Sequence, residues 1–137
     1  MIDGYGGPMA QIVVWGHRES LRSRRTALSH AIHAAVVEAL DYPIEKRFHR
    51  FVGLDDEDFM HPQTRSQQYV IIEISMFEGR SEAAKRLLIE RLFERIETEA
   101  ATSPEDVEIT IVETPRSSWG IRGRNAADLT LDYRVEV

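Results

Sequence analysis

A β-branched strand, a short polar stretch and an amphipathic helix occur near the start of this chain and recur about sixty residues later. The first copy opens with Gln11-Ile12-Val13-Val14-Trp15. The second opens with Tyr69-Val70-Ile71-Ile72-Glu73-Ile74-Ser75 and runs into Phe77-Glu78-Gly79-Arg80-Ser81. Branched and aromatic side chains suit a pleated, half-buried backbone, so both openings read as strands. Each is followed by a helix and then by a further strand. The chain therefore reads as two fused β-α-β units, in which each crossover helix covers one face of the sheet. The predicted fold class is α/β, a two-layer sandwich. No third layer of helices remains for the other sheet face, so assembly with further copies is expected.

The first helix puts Leu21, Leu28, Ile32, Ala35, Val36, Ala39 and Leu40 on one stripe, with Arg22, Arg24 and Arg25 on or near its opposite side. Gly16-His17-Arg18-Glu19 reads as the loop before it, and Ser20 as its N-cap. Asp41-Tyr42-Pro43 ends it, because the residue before proline is driven to extended geometry. A strand is expected at 48–54, followed by a long polar loop at 55–68. Ser81 caps the second helix, whose stripe is Ala84, Leu88, Leu92 and Ile96. Ser103-Pro104-Glu105-Asp106 starts a short turn, with proline at the first helical position. Residues 107–113 alternate at period two and predict a strand. A loop follows at 115–123, and a last strand is expected in the tail from Leu129. The organisation expected is a flexible extension at 1–9, rich in glycine, before a single domain at 10–137. That domain holds units at about 10–54 and 69–113, with a C-terminal loop and strand at 114–137.

With 137 residues, the chain is long enough to bury a core as one domain. Its formal charge of -6 argues against a nucleic-acid partner, because such binders neutralise phosphates with a basic surface. The absence of cysteine excludes a disulfide scaffold, a thiolate metal site and a cysteine nucleophile. No apolar run approaches the roughly 20 residues that cross a bilayer, so no membrane partner is expected and a cytoplasmic location is the default. His30 and His33 lie on one helix flank without a third ligand at motif spacing, so no metal and no cofactor are expected.

Several segments, taken in order, resemble the tautomerase superfamily, and within it the longer malonate-semialdehyde-decarboxylase-like branch. They are Ala35-Val36-Val37-Glu38-Ala39-Leu40 with Pro43, Tyr69-Val70-Ile71-Ile72, Ser103-Pro104-Glu105-Asp106-Val107 with Ile111-Val112-Glu113, and Trp119-Gly120. The resemblance implies a homotrimer of fused β-α-β units, with an active site at the start of the first strand. It also implies an amino-terminal proline whose secondary amine moves the proton. Here that position holds Ala10, directly after Met9. If the mature chain begins at Ala10, its α-amine has a reference pKa near ~7.7 and acts as a weak base. If it begins at Met1, the Ala10 nitrogen is a peptide amide without basicity. Where the decarboxylases of this branch place an acid, the chain has Lys46.

Arg80 matches the family arginine at the start of the second helix, as the carboxylate-binding group. Ala10 and Arg80 are thus the candidate catalytic residues. Arg18, with His17, occupies the parallel position of the first unit, and His49 follows Phe48 on the second strand. Trp119 suits the wall of an apolar pocket. Arg122, between Arg116 and Arg124, makes its loop basic. Arg18, His49, Trp119 and Arg122 are the candidate substrate-binding residues, while His61 stands alone in the long loop. The function expected is tautomerase-like action on a small anionic enol or oxo acid, by tautomerisation or a related decarboxylation or hydration. The alternative is a noncatalytic trimeric small-anion binding or structural protein that has lost the proline chemistry.

Overall fold

The computed structural model describes residues 9–129. Within them, β1 (Ala10–His17) leads directly into α1 (Arg18–Leu40), which returns to β2 (Phe48–Leu54). The second unit repeats the pattern with β3 (Val70–Phe77), α2 (Glu82–Ala100) and β4 (Val107–Thr114). Strand order is β2-β1-β3-β4. Pairs β1/β2 and β3/β4 are parallel, whereas β1 and β3 run antiparallel with Ala10 opposite Met76 and Gly16 opposite Val70. The two units are therefore related by a pseudo-twofold axis between β1 and β3, and the sheet has two comparable ends.

Strand periodicity decides which side chains are buried. Ile12 and Val14 of β1 and Val70, Ile72 and Ile74 of β3 face the helices and are buried. They meet Leu28, Ile32 and Val36 of α1 and Leu88, Leu92 and Ile96 of α2. Each such aliphatic side chain contributes roughly 1.5–3 kcal/mol by leaving water. The opposite parity, including Gln11, Val13, Trp15 and Glu73, lines a face that no helix among the described residues covers. On that face the Trp15 indole donates to Glu73 Oε1 at 2.9 Å, while Phe48 and Val112 stay 43% and 48% exposed. This is the α/β two-layer sandwich that the duplication predicts.

The junction between β1 and α1 departs from expectation. There is no loop at 16–19: the strand runs through His17, which occupies the N-cap position in extended geometry without a side-chain cap. The helix sits so close that a Cβ on Gly16 would lie 2.9 Å from Leu21 Cγ. Ser20 is already inside the first turn, where its hydroxyl accepts from Arg24 Nη1 at 2.7 Å. The second unit follows the sequence rules more closely. Ser81 Oγ accepts from the Ala84 amide at 3.0 Å, and Ser103 accepts from Glu105 at the Pro104 turn. The central strand begins at Val70 rather than Tyr69 and continues to Phe77. After β4 come a 3-10 turn (Arg116–Ser118) and a small hairpin of β5 (Gly120–Ile121) and β6 (Arg124–Asn125). Residues 1–8 of the expected extension, and all of the expected last strand beyond Leu129, lie outside the described residues. Met9, which the sequence assigned to the extension, packs against the Phe77 cluster.

Candidate active site

The pairing of Ala10 with Met76 places the beginning of β1 beside the end of β3. Whatever leaves β3 therefore returns close to Ala10. Gly79, at φ 121°, bends the connection in a region open to glycine, and the turn delivers Arg80 and Ser81 to the start of α2. Arg80 is 7% exposed and donates from Nη1 to the Leu40 carbonyl at 2.7 Å, at the end of α1. Ala10 is buried, and its backbone N–H donates to the Tyr42 hydroxyl at 3.1 Å. With Met9 attached, the nitrogen is a peptide amide whose lone pair is delocalised, so it is no base.

A small apolar cluster closes the same end. Phe77, at the end of β3, meets Trp119 edge-on at 5.1 Å and packs with Ile121, Ala126, Leu129 and Met9. The Trp119 indole donates to Thr114 Oγ1 at 2.7 Å, which fixes the ring against the end of β4. Trp119 also borders an open depression with Ser117, Gly120 and Arg124. Arg122 is exposed at the tip of the β5–β6 hairpin, in the left-handed region at φ 52°. Lys46 lies between α1 and β2, in a turn where its amide donates to the Pro43 carbonyl. On the helix side of this end, Lys85 Nζ donates to Glu113 Oε1 at 2.8 Å.

His49 faces α1, where its Nδ1 lies 2.8 Å from Ser29 Oγ. Burial, then the neighbouring His33 and Arg47 charges, push its pKa down to about 4, so the imidazole is neutral near pH 7. It borders a cleft of about 350 Å³ with Gln11, Arg47, Phe48 and Arg50, at the edge of β2 near its start. His33 is a buried structural histidine, with Nε2 2.6 Å from the Ile44 carbonyl.

Arg18 lies elsewhere. It begins α1 at the other end of β1, a strand that spans roughly 23 Å from Ala10 to His17 at about 3.3 Å per residue. There its Nε donates to Asp55 Oδ1 at 3.0 Å, with both side chains half exposed. The structure thus brings Ala10, Arg80 and the Trp119 cluster to one end and takes Arg18 to the other. Sequence reasoning missed Tyr42, the hydroxyl partner of Ala10, although its place before Pro43 at a helix end was a signal. Nothing in the sequence pattern pointed to Arg47 or to the Glu113–Lys85 pair.

The far end has its own network. The Tyr69 hydroxyl donates to Glu108 Oε1 at 2.5 Å, and Arg65 Nη2 donates to Glu108 Oε2 at 2.6 Å. Burial and the Glu108 hydrogen bond push the Tyr69 pKa up to about 12, while Tyr69 and Arg65 hold Glu108 below the usual carboxylate range. Asp106 accepts from the Ser66 amide at 2.7 Å and from the Ser66 hydroxyl. These contacts pin the loop between β2 and β3 to the start of β4. No group of three or more His, Asp or Glu side chains among the described residues is arranged to hold a metal ion.

A family model described as tautomerase enzyme matches residues 46–122. The 2-hydroxymuconate tautomerase of Pseudomonas putida is 35% identical over 57 residues, covering 42% of this chain and 90% of that protein. A crystal structure of malonate semialdehyde decarboxylase superposes with a TM-score of 0.75 at 23% identity, covering 84% of this chain and 93% of the other. A fused 4-OT, solved as an asymmetric trimer, gives a TM-score of 0.75 at 21% identity, covering 85% and 96%. A β-α-β unit used twice, an arginine turn after the second central strand and a family match over residues 46–122, more than half of the chain, lead to one conclusion. The chain belongs to the tautomerase superfamily.

Proposed function

We propose that the Ala10 end of the sheet binds a small organic acid carrying a carboxylate and an enol or oxo group, and that the chain is tautomerase-like in action. The observation that carries this reading is the β1–β3 register, which sets Ala10 beside Met76 and so gathers Arg80 and the Phe77–Trp119 cluster at one end. Arg80 supplies a forked donor for the carboxylate, in a position sheltered enough for charge-assisted hydrogen bonds to count. Trp119 and Phe77 offer an apolar wall for the carbon skeleton. The substrate class is that of a 2-hydroxydienoate, by similarity to the 2-hydroxymuconate tautomerase, or of phenylpyruvate. Tautomerisation, decarboxylation and hydration of such acids share an enol-like intermediate and differ in where one proton or water is delivered.

Moving that proton needs a basic nitrogen at residue 10. In a chain whose residue 10 amine is free, the Tyr42 hydroxyl stands at hydrogen-bond distance from the base, as it does from the amide at 3.1 Å. A second reading, a noncatalytic small-anion binding protein, is favoured by the same contact. While Met9 is joined to Ala10, the nitrogen is an amide that donates to the Tyr42 hydroxyl and takes up no proton.

Both readings use a homotrimer, supported by the uncovered sheet face and by the trimeric fused 4-OT. Sedimentation equilibrium of the full chain should give a trimer mass at micromolar concentration, and a monomer mass contradicts it. The site itself is tested by calorimetric titration with malonate. Arg80→Gln should weaken binding by roughly 1.5–3 kcal/mol, the range of a hydrogen bond to a charged group. Unchanged affinity in a folded variant removes Arg80 from the site.

A further inference from the structure

At the far end of the sheet, His17 is 3% exposed and makes two close contacts. Its Nδ1 lies 2.8 Å from Asp56 Oδ1, and its Nε2 lies 2.8 Å from Nε2 of His61. The other nitrogen of His61, Nδ1, lies 3.0 Å from the Pro62 carbonyl oxygen. All three are hydrogen-bond distances. A carboxylate and a carbonyl only accept, so both Nδ1 atoms must carry hydrogen. Between the two Nε2 atoms, one must donate and the other accept. The two rings therefore hold three hydrogens on four nitrogens, one proton more than two neutral imidazoles. With that proton removed, one of the three contacts sets lone pair against lone pair, whichever tautomers the rings adopt.

We propose that His17, His61 and Asp56 form a proton-dependent latch that holds the loop between β2 and β3 closed over the far end of the sheet. The loop carries Phe59, which lies 5.0 Å from the His17 ring and stacks on Tyr69 at 5.3 Å. His61 sits 4.9 Å from the same Tyr69 ring, so the couple also seals two buried aromatics. The charged surroundings come from every neighbouring element. Arg18 of α1 is paired to Asp55, and Asp56 lies in the loop's 3-10 turn (Asp56–Asp58). Arg65 rests over the Tyr69 ring while bonding Glu108 of β4, and Glu108 in turn holds the Tyr69 hydroxyl. Both cations thus have carboxylate partners of their own, and Asp56 is the acid in contact with the couple. No third ligating side chain joins the two imidazoles among the described residues, so a proton rather than a metal ion fits the gap. The sign follows directly: the latch is closed while the couple holds its proton and loosens as pH rises.

Two measurements on the full chain test this. Ring-nitrogen NMR should find three protonated nitrogens over His17 and His61 at about pH 5.5. Hydrogen-exchange protection factors at 56–69 should fall about tenfold between about pH 5.5 and about pH 8.5. His61→Gln is the decisive variant. Its amide can donate or accept toward His17, so the contact survives in either protonation state, and loop protection should become independent of pH. Two neutral rings at about pH 5.5, wild-type loop protection flat across the range, or an unchanged pH step in His61→Gln would each overturn the latch.

Discussion

At one end of the sheet Arg80 lies buried behind the turn that leaves β3, its guanidinium on the Leu40 carbonyl. At the other end Arg18 occupies the same connection of its own unit, yet it stands half exposed against Asp55. The two units share strand, helix and strand, so topology alone does not separate these arginines. The linkers do. Glu78, Gly79 and Arg80 form a real turn before the Ser81 cap, and that turn folds Arg80 back toward the body of the protein. In the first unit His17 passes straight from strand to helix, and Arg18 is left at the surface. A few residues of linker thus decide which end holds an enclosed cation and which end is closed by a histidine couple and a loop.

The sharpest way to break this contrast is to remove each arginine in turn. Arg80→Met leaves the Leu40 carbonyl without its donor and should cost about 2–4 kcal/mol of unfolding free energy. Arg18→Met removes a half-exposed pair and should cost about 0–1 kcal/mol. Urea denaturation of both variants checks the ranking, and equal losses would erase the distinction between the ends.

The glycines sharpen it next. Gly16→Ala drives a methyl to 2.9 Å from Leu21 Cγ at the direct strand-to-helix junction, and overpacking of this kind costs about 1–3 kcal/mol. Gly120→Ala, with nothing within 4 Å of the added carbon, should stay within about 0.5 kcal/mol in the same experiment.

The ends should also answer pH with opposite sign. His49, near the Ala10 end, has its folded pKa pushed down to about 4, below the ordinary histidine value. A group whose folded pKa is depressed binds its proton more readily when unfolded, so stability falls as pH drops from about 6.5 toward about 4. Its partial exposure limits the loss to the order of 1–2 kcal/mol. Unfolding curves at several pH values should show this slope in the wild type and less of it in His49→Asn. The His17 latch works the other way, since it loosens as pH rises. A modest loss is expected at Trp119: Trp119→Phe keeps the edge-on packing with Phe77 but strands Thr114 Oγ1, at about 1 kcal/mol by thermal melts.

Much of the fold was legible because period and burial agree. The stripe from Leu21 to Leu40 and the stripe Ala84, Leu88, Leu92 and Ile96 are all buried as the 3.6-residue spacing demands. Ser81 and Ser103 cap as their side chains allow. Ser20 does not, because α1 already starts at Arg18, three residues ahead of the start that a Ser20 cap implies, where β1 passes straight into the helix. The candidate site was legible only in part. Arg80 and Trp119 follow conspicuous punctuation, Gly79 in one case and Pro115 in the other. The partnership of Ala10 with Tyr42 spans 32 residues, and that of His17 with His61 spans 44, so neither leaves a trace in spacing.

The central proposal is that the Ala10 end is the binding end for a small organic acid, and that proton transfer there requires a free amine at residue 10 in place of a peptide amide. It is tested most directly by steady-state tautomerisation of phenylpyruvate or a 2-hydroxydienoate. The full chain is to be compared with a chain shortened to begin at residue 10 and carrying Ala10→Pro. A free secondary amine beside Tyr42 should raise kcat/KM at least about tenfold, equivalent to about 1.4 kcal/mol of barrier. No gain, in a shortened chain shown by mass and circular dichroism to be processed and folded, would contradict it.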